Sequence, residues 1–305
     1  MSTALDEIAV RQEPLKRHTT MKVGGPAQYW LEPQSEEELV TALQAVQRAG
    51  CPLQVLGAGS NLVPGDSGFE GAVLHLGRGF TWQRADGNLM IVGGAALLPK
   101  LTHFALKNRL GGFEWACGIP GSAGGSIWGN AGARGFNGKE WESRDAAADL
   151  QSVVAYDRDG VRHELQRSDI TFAYRRSSLG ELIVTAATFA LRPLTEDETR
   201  LHQDAVKDLL KKRRETQPVN AASAGCIWKN PTVEGCRGAG ELIERLGLKG
   251  SSVGGAQISE IHGNFIVNSG GASGRDIRDL IEQTEKAVLQ QSGIQLEREV
   301  RLLGD

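Results

Sequence analysis

The chain has 305 residues, enough for about two domains at the roughly 150 residues a domain usually occupies. Hydrophobic residues make up 40% and charged residues 23%, ordinary globular usage that excludes wholesale disorder. The 34 basic and 37 acidic residues leave a formal charge of −3 and a pI near 6.1, which argues against nucleic acid as a partner.

The elements begin as α/β. A strand is expected at 27–31, and Ser35-Glu36-Glu37-Glu38 reads as a capping box opening a helix over 37–49 that Gly50 ends. A buried strand at 53–56 runs into Gly57-Ala58-Gly59-Ser60-Asn61, and another follows at 72–76. Asp86-Gly87 predicts a hairpin turn, and 98–110 a helix. The glycine-rich passage 111–138 is too polar and kinked for core and is expected outside it. Strands return at 150–156, 162–166 and 182–191, the first two joined by the turn Asp157-Arg158-Asp159-Gly160. A charged helix over 196–214 stops before Pro218, with a domain boundary at its start. The tail reads as a smaller α+β domain, with helices at 239–246 and 274–291, a β-rich stretch through Phe265-Ile266-Val267 and a terminal strand at 295–303.

No apolar run reaches the roughly 18 to 20 residues that cross a bilayer, and residues 1–12 lack the order of a signal peptide. The expected location is the cytoplasm, without membrane insertion. Cys51, Cys117, Cys226 and Cys236 form no C-x-x-C pair, which argues against a disulfide framework and a structural zinc site. The six histidines are scattered with no i, i+4 pair, so no catalytic metal is expected.

Glycine is the outlying count, 39 residues or about 13% against about 7% in typical proteins. Gly57-Ala58-Gly59-Ser60-Asn61-Leu62 starts like a dinucleotide fingerprint, but Leu62 replaces the third glycine and Pro64-Gly65 breaks the helix that should follow. A plain tight turn or an anion-binding nest of backbone N–H groups both explain it. Gly118-Ile119-Pro120-Gly121-Ser122-Ala123-Gly124-Gly125-Ser126 and Gly129-Asn130-Ala131-Gly132 lack the Gly-Lys-Ser/Thr ending of a nucleotide triphosphate loop. A pyrophosphate or flavin cradle fits them better, a flexible surface loop being the alternative. Tyr174-Arg175-Arg176 offers guanidinium groups to a carboxylate, or a surface ion pair. Cys226 is either a packed cysteine or a thiol with Lys229 nearby in sequence. The run Lys211-Lys212-Arg213-Arg214 is a solvated helix end or a phosphate contact.

Together these segments resemble the UDP-N-acetylenolpyruvoylglucosamine reductase (MurB) family over nearly the whole chain. The carriers are His18-Thr19-Thr20-Met21-Lys22-Val23-Gly24-Gly25, Leu56 through Asn61, Gly118-Ile119-Pro120-Gly121 with Asn130-Ala131-Gly132-Ala133, Tyr174-Arg175, Ala224-Gly225-Cys226 with Lys229-Asn230-Pro231, and Glu299-Val300-Arg301. The length, and the absence of an obvious tyrosine-bearing loop after Arg175, fit the short, type II form of the family.

The resemblance implies an α+β protein with an FAD-binding fold of the vanillyl-alcohol oxidase type. Residues 1–70 and 71–195 would be its two α/β subdomains, and 196–305 a smaller α+β substrate-binding domain whose last strand returns to the active site. It implies FAD as cofactor, NADPH as hydride donor and UDP-N-acetylglucosamine enolpyruvate as substrate, in peptidoglycan precursor synthesis and hence cell wall biogenesis, cell shape and division. Arg175 and Glu299 would meet the substrate carboxylate, and Cys226 would donate a proton where better-known members carry serine. Gly57, Ala58, Gly59, Ser60, Asn61, Gly118, Ile119, Pro120, Gly121, Gly124, Gly125, Asn130, Ala131 and Gly132 would hold the FAD. Tyr174, Arg214, Lys229 and Asn230 would contact substrate. Another FAD-dependent oxidase or dehydrogenase of the same fold superfamily, and a non-catalytic UDP-sugar or flavin-binding module, are the competing readings.

Overall fold

Alternating apolar residues at 150–156 and 183–190 form the centre of the largest sheet in the computed structural model, which describes residues 4–233 and 235–304. Its five strands run in the order Arg162–Gln166, Leu150–Tyr156, Ile183–Ala190, Leu89–Gly93, Gln83–Asp86. All of these pairs are antiparallel. The hairpin expected at Asp86-Gly87 is present, with Asp86 opposite Leu89 and Gly87 at φ 58°. At the Asp157–Gly160 turn, Asp157 Oδ1 accepts from the N–H groups of Asp159 (3.0 Å) and Val161 (2.9 Å), a local bond suited to a tight turn.

The passage 111–138 corrects an expectation, because much of it is core. Phe113, Trp115, Ala116, Ala123 and Ile127 are all 1% exposed or less and pack with Met90, Val92, Leu101, Val153 and Phe189. Burying a side chain such as Phe113 or Ile127 contributes about 1.5–3 kcal/mol. The small residues between them let backbone approach backbone: a Cβ on Gly124 would lie 2.8 Å from the Val184 carbonyl oxygen. Glycine here brings the helix Ala123–Trp128 onto the sheet rather than marking a surface loop.

The helix expected over 98–110 stops at Lys107. Arg109 turns into the left-handed region at φ 55°, and Leu110–Gly111 pairs with Arg192–Pro193 instead. Nearer the N-terminus, Leu53–Val55 pairs in parallel with the end of Phe69–Leu74. The helix Glu36–Arg48 lays Leu39, Leu43 and Val46 on Ala72 and Leu74. Ser35 Oγ accepts from Glu38 N at 3.2 Å, but the Glu38 carboxylate takes the N–H of Gln34, so only half of the expected capping box forms.

Two compact units divide the chain: residues 1–10, 29–58 and 72–211 form the first, and residues 11–28, 59–71 and 212–305 the second. These lines differ from those drawn on sequence. The division at 211/212 falls inside the helix Glu196–Thr216, and two early segments belong with the C-terminal portion.

The second unit has a sheet in the order Ala222–Cys226, Phe265–Asn268, Ala256–Ile258, Ser252–Val253. The amphipathic helix Gly274–Ser292 is started by the reciprocal Ser273/Asp276 capping box and ended by Gly293 at φ 71°. The terminal strand is shorter than the expected 295–303. Only Arg301–Leu303 is a regular strand, parallel to Leu62–Pro64. Residues 297–299 instead bond to 227 and 229, with Trp228 and Arg298 joined by an isolated bridge. The Arg298 guanidinium is drawn to Glu285 by two 2.7 Å bonds.

Candidate active site

In the first unit, the two glycine segments singled out in the sequence meet. Ser122 caps the helix Ala123–Trp128, its Oγ accepting from Gly125 N at 3.4 Å. A Cβ on Gly57 would lie 2.8 Å from that Oγ, so a side chain at 57 would displace the cap. Among the described residues, the backbone N–H groups of Gly57, Ala58 and Gly118 are paired with no acceptor. Successive amides such as those of Gly57 and Ala58 are donors suited to an anion such as a pyrophosphate.

Tyr174 and Arg175 form the turn of a hairpin whose arms are Phe172–Ala173 and Arg176–Ser177. Arg175 sits at φ 57°, a conformation side chains seldom adopt. Its Nη1 donates to the Gly132 carbonyl at 3.2 Å, and its guanidinium lies 5.1 Å from the centroid of the Tyr174 ring. Asn130, expected at the cofactor, is 4% exposed. Its amide nitrogen points inward to Asp145 Oδ2 (3.1 Å) and the Ala173 carbonyl (3.0 Å).

In the second unit, residues far apart in sequence are gathered around Glu299. Its N–H donates to the Ile227 carbonyl at 2.8 Å, next to Cys226, and its own carbonyl accepts from Asn61 Nδ2 at 3.1 Å. The strand Ala222–Cys226 loses register between Ser223 and Cys226, and Gly225 stands at φ 77°. Such a bulge re-aims the side chain that follows it. Thr20 ties the site from behind: its Oγ1 donates to the Ser223 carbonyl at 2.7 Å, and its N–H donates to the Gly59 carbonyl at 3.1 Å. A Cβ on Gly59 would lie 1.9 Å from the His18 carbonyl oxygen, which fixes glycine there.

Of the remaining expected residues, Lys229 and Asn230 have other partners. Lys229 is ion-paired with Glu297. Asn230 Oδ1 accepts from Ala239 N at 3.1 Å, at the start of the helix Ala239–Arg245. Arg214 is exposed in the last turn of the helix Glu196–Thr216. The predicted catalytic residues are divided between units, Arg175 on the first and Cys226 and Glu299 on the second. Thr20 and Ser122 lie in segments that the sequence singles out but gives no role, and Asp145 lies outside them; a serine at an N-cap is the signal that would have marked Ser122 had the helix after it been expected.

Residues 27–160 match the family model described as an FAD binding domain, and residues 217–303 that of the UDP-N-acetylenolpyruvoylglucosamine reductase C-terminal domain. These matches define an FAD-dependent oxidoreductase, and the expected FAD-binding α+β fold is borne out. The chain is 41% identical over 296 residues to UDP-N-acetylenolpyruvoylglucosamine reductase 2 of Symbiobacterium thermophilum, covering 96% of this chain and 92% of that one. It is 38% identical over 300 residues to the reductase of Heliobacterium modesticaldum, covering 97% and 91%. The crystal structure of the reductase from Thermus caldophilus matches with a TM-score of 0.77 at 34% identity, covering 95% of this chain and 97% of that one. The chain belongs to the UDP-N-acetylenolpyruvoylglucosamine reductase family.

Proposed function

We propose that the chain reduces the enolpyruvyl group of UDP-N-acetylglucosamine enolpyruvate to give UDP-N-acetylmuramate, with NADPH as electron source, as a step in peptidoglycan precursor synthesis. Gly57, Ala58, residues 118–125, Ala131 and Gly132 would hold FAD, which would supply the relay of hydride from NADPH to the terminal carbon of that group. Hydride addition leaves negative charge spread into the adjoining carboxylate. The Arg175 guanidinium meets that charge, where a planar cation pairs bidentately with carboxylate oxygens. The Cys226 thiol then gives its proton to the other carbon. With a reference pKa near 8.5 a thiol is a stronger acid than an aliphatic hydroxyl, which suits it to the role. Glu299 accompanies Arg175 at the carboxylate and must be protonated or hydrogen-bonded if it faces the enolate. Tyr174, Lys229 and Arg214 contact the nucleotide sugar.

The observation that carries this reading is that the backbone at Glu299 is bonded to the residue that follows Cys226, Glu299 N donating to the Ile227 carbonyl at 2.8 Å. No helix among the described residues is long and apolar enough to cross a membrane, and we place the enzyme in the cytoplasm, where NADPH and nucleotide sugars are supplied. The test is an anaerobic visible spectrum. Flavin absorbance should bleach on adding NADPH and recover on adding UDP-N-acetylglucosamine enolpyruvate. Bleaching without recovery would remove the assigned substrate.

A further inference from the structure

The turn that carries Arg175 is tied to the 128–132 segment by several bonds besides its own guanidinium. Ser177 Oγ donates to the Trp128 carbonyl at 2.7 Å, and Trp128 Nε1 donates to the Gly180 carbonyl at 2.8 Å. The buried member of this set is Asn130. Both hydrogens of its Nδ2 are committed, one to Asp145 Oδ2 and one to the carbonyl of Ala173, the residue immediately before Tyr174. Asp145 is itself fixed, since its Oδ1 accepts from Ala147 N at 3.2 Å and its backbone pairs opposite Gly132.

Packing alone does not hold the hairpin on this side. An open surface groove of about 640 Å³ borders it, lined in part by Asn130, Asp145, Arg167, Phe172 and Tyr174. Phe172 packs on the core, whereas the turn beyond it faces this groove, and there directional bonds help to decide where it rests. Its conformation also needs outside support, because Arg175 at φ 57° has none of the freedom of glycine.

We infer that Asn130, oriented by Asp145, is a positioning residue for Arg175. It fixes the Ala173 carbonyl from which the Tyr174-Arg175 turn hangs, and so sets where the guanidinium meets the substrate carboxylate. This rests on the role of Arg175 proposed above and deepens it. It also moves Asn130 from the cofactor set to the support of the catalytic arginine.

Two variants of the full-length flavin-loaded protein test it. Asn130→Gly keeps the φ of 44° at no strain and removes only the side chain, so it should fold. The exchanged pair Asn130→Asp with Asp145→Asn can rebuild the 130–145 hydrogen bond with reversed polarity, but leaves the Ala173 carbonyl without its donor. In both, hydrogen exchange over residues 171–178 should accelerate while the rest of the chain is unchanged. In both, flavin reduction by NADPH should proceed at the wild-type rate, and reoxidation by UDP-N-acetylglucosamine enolpyruvate should slow by about 10²-fold, the penalty of a misplaced reacting group.

A merely structural Asn130 would slow both half-reactions together, or would be rescued by the exchanged pair; either result overturns the inference. If the wild-type flavin is not reoxidised by that substrate, the proposed function fails, and hydrogen exchange still decides this one: acceleration confined to 171–178 upholds it and an unchanged hairpin overturns it.

Discussion

Asn61 and Glu299, 238 positions apart, are joined by a 3.1 Å hydrogen bond from the Asn61 side-chain amide to the Glu299 carbonyl. The Asn61 carbonyl in turn accepts from Arg301 N at 3.1 Å, so Asn61 grips the chain on both sides of Val300. Asn61 was expected at the cofactor; these bonds add the task of holding the backbone that carries Glu299. Asn61→Ala should cost about 1 kcal/mol of stability, the worth of an ordinary hydrogen bond. Flavin reoxidation by substrate should slow by up to about tenfold if that bond is realised at the transition state. Stopped-flow reoxidation together with a urea titration checks both. A stability loss without a rate loss would confine Asn61 to the fold.

The Cys226 assignment makes a sharper forecast. Cys226→Ser should retain much of the activity, because a hydroxyl can occupy the same place. Cys226→Ala should still accept electrons from NADPH but lose turnover by about 10²- to 10⁴-fold, the usual range for a lost general acid. Single-turnover kinetics separate the two half-reactions, and an alanine variant that turns over like wild type would remove the thiol from the mechanism.

At Gly57 the prediction is steric. The Cβ of Gly57→Ala would sit 2.8 Å from Ser122 Oγ and push that oxygen off Gly125 N, costing about 1 kcal/mol in lost helix capping. The cradle should be distorted with it, and the purified protein should carry less FAD, read from flavin absorbance per chain. Adding Ser122→Ala makes room for the new methyl. Flavin content should recover in the double variant although the cap is still missing; continued loss would mean that the clash lies elsewhere.

How far these features were legible in the sequence depends on the range of the interaction concerned. Strands Leu150–Tyr156 and Arg162–Gln166 were readable to the residue, because alternation and a local aspartate turn define them within a few positions. In the 111–138 passage glycine density does not mean distance from the core: at Gly124 the missing side chain is what lets the backbone pack on Val184. The stretch 297–301 alternates like a strand, but Arg298 is bound by Glu285. Family resemblance assigns roles to residues with distinctive chemistry, Arg175, Cys226 and Glu299. It includes Thr20 in a matching segment but gives it no role; Thr20 acts through backbone carbonyls, one of them 203 positions away, and no local pattern encodes such a bond.

Alkaline stability follows from a contact outside the site. Tyr156 OH donates to Glu36 Oε2 at 2.7 Å. Burial first, and then the Glu36 carboxylate as acceptor and as a neighbouring negative charge, push the phenol from 10.0 up to about 12. A phenol whose folded pKa is raised keeps its proton in the native state at a pH where the unfolded chain has already lost it. Its contribution to stability is therefore whole below about pH 10 and is lost as pH rises through about 12. Tyr156→Phe removes both the hydrogen bond and the titration. The variant should be less stable than wild type at neutral pH, and the two urea midpoints should converge between about pH 10 and 12 as the wild type loses its advantage. Midpoints that stay parallel across that window would show that Tyr156 carries no such linkage, and the alkaline limb would have to come from other groups.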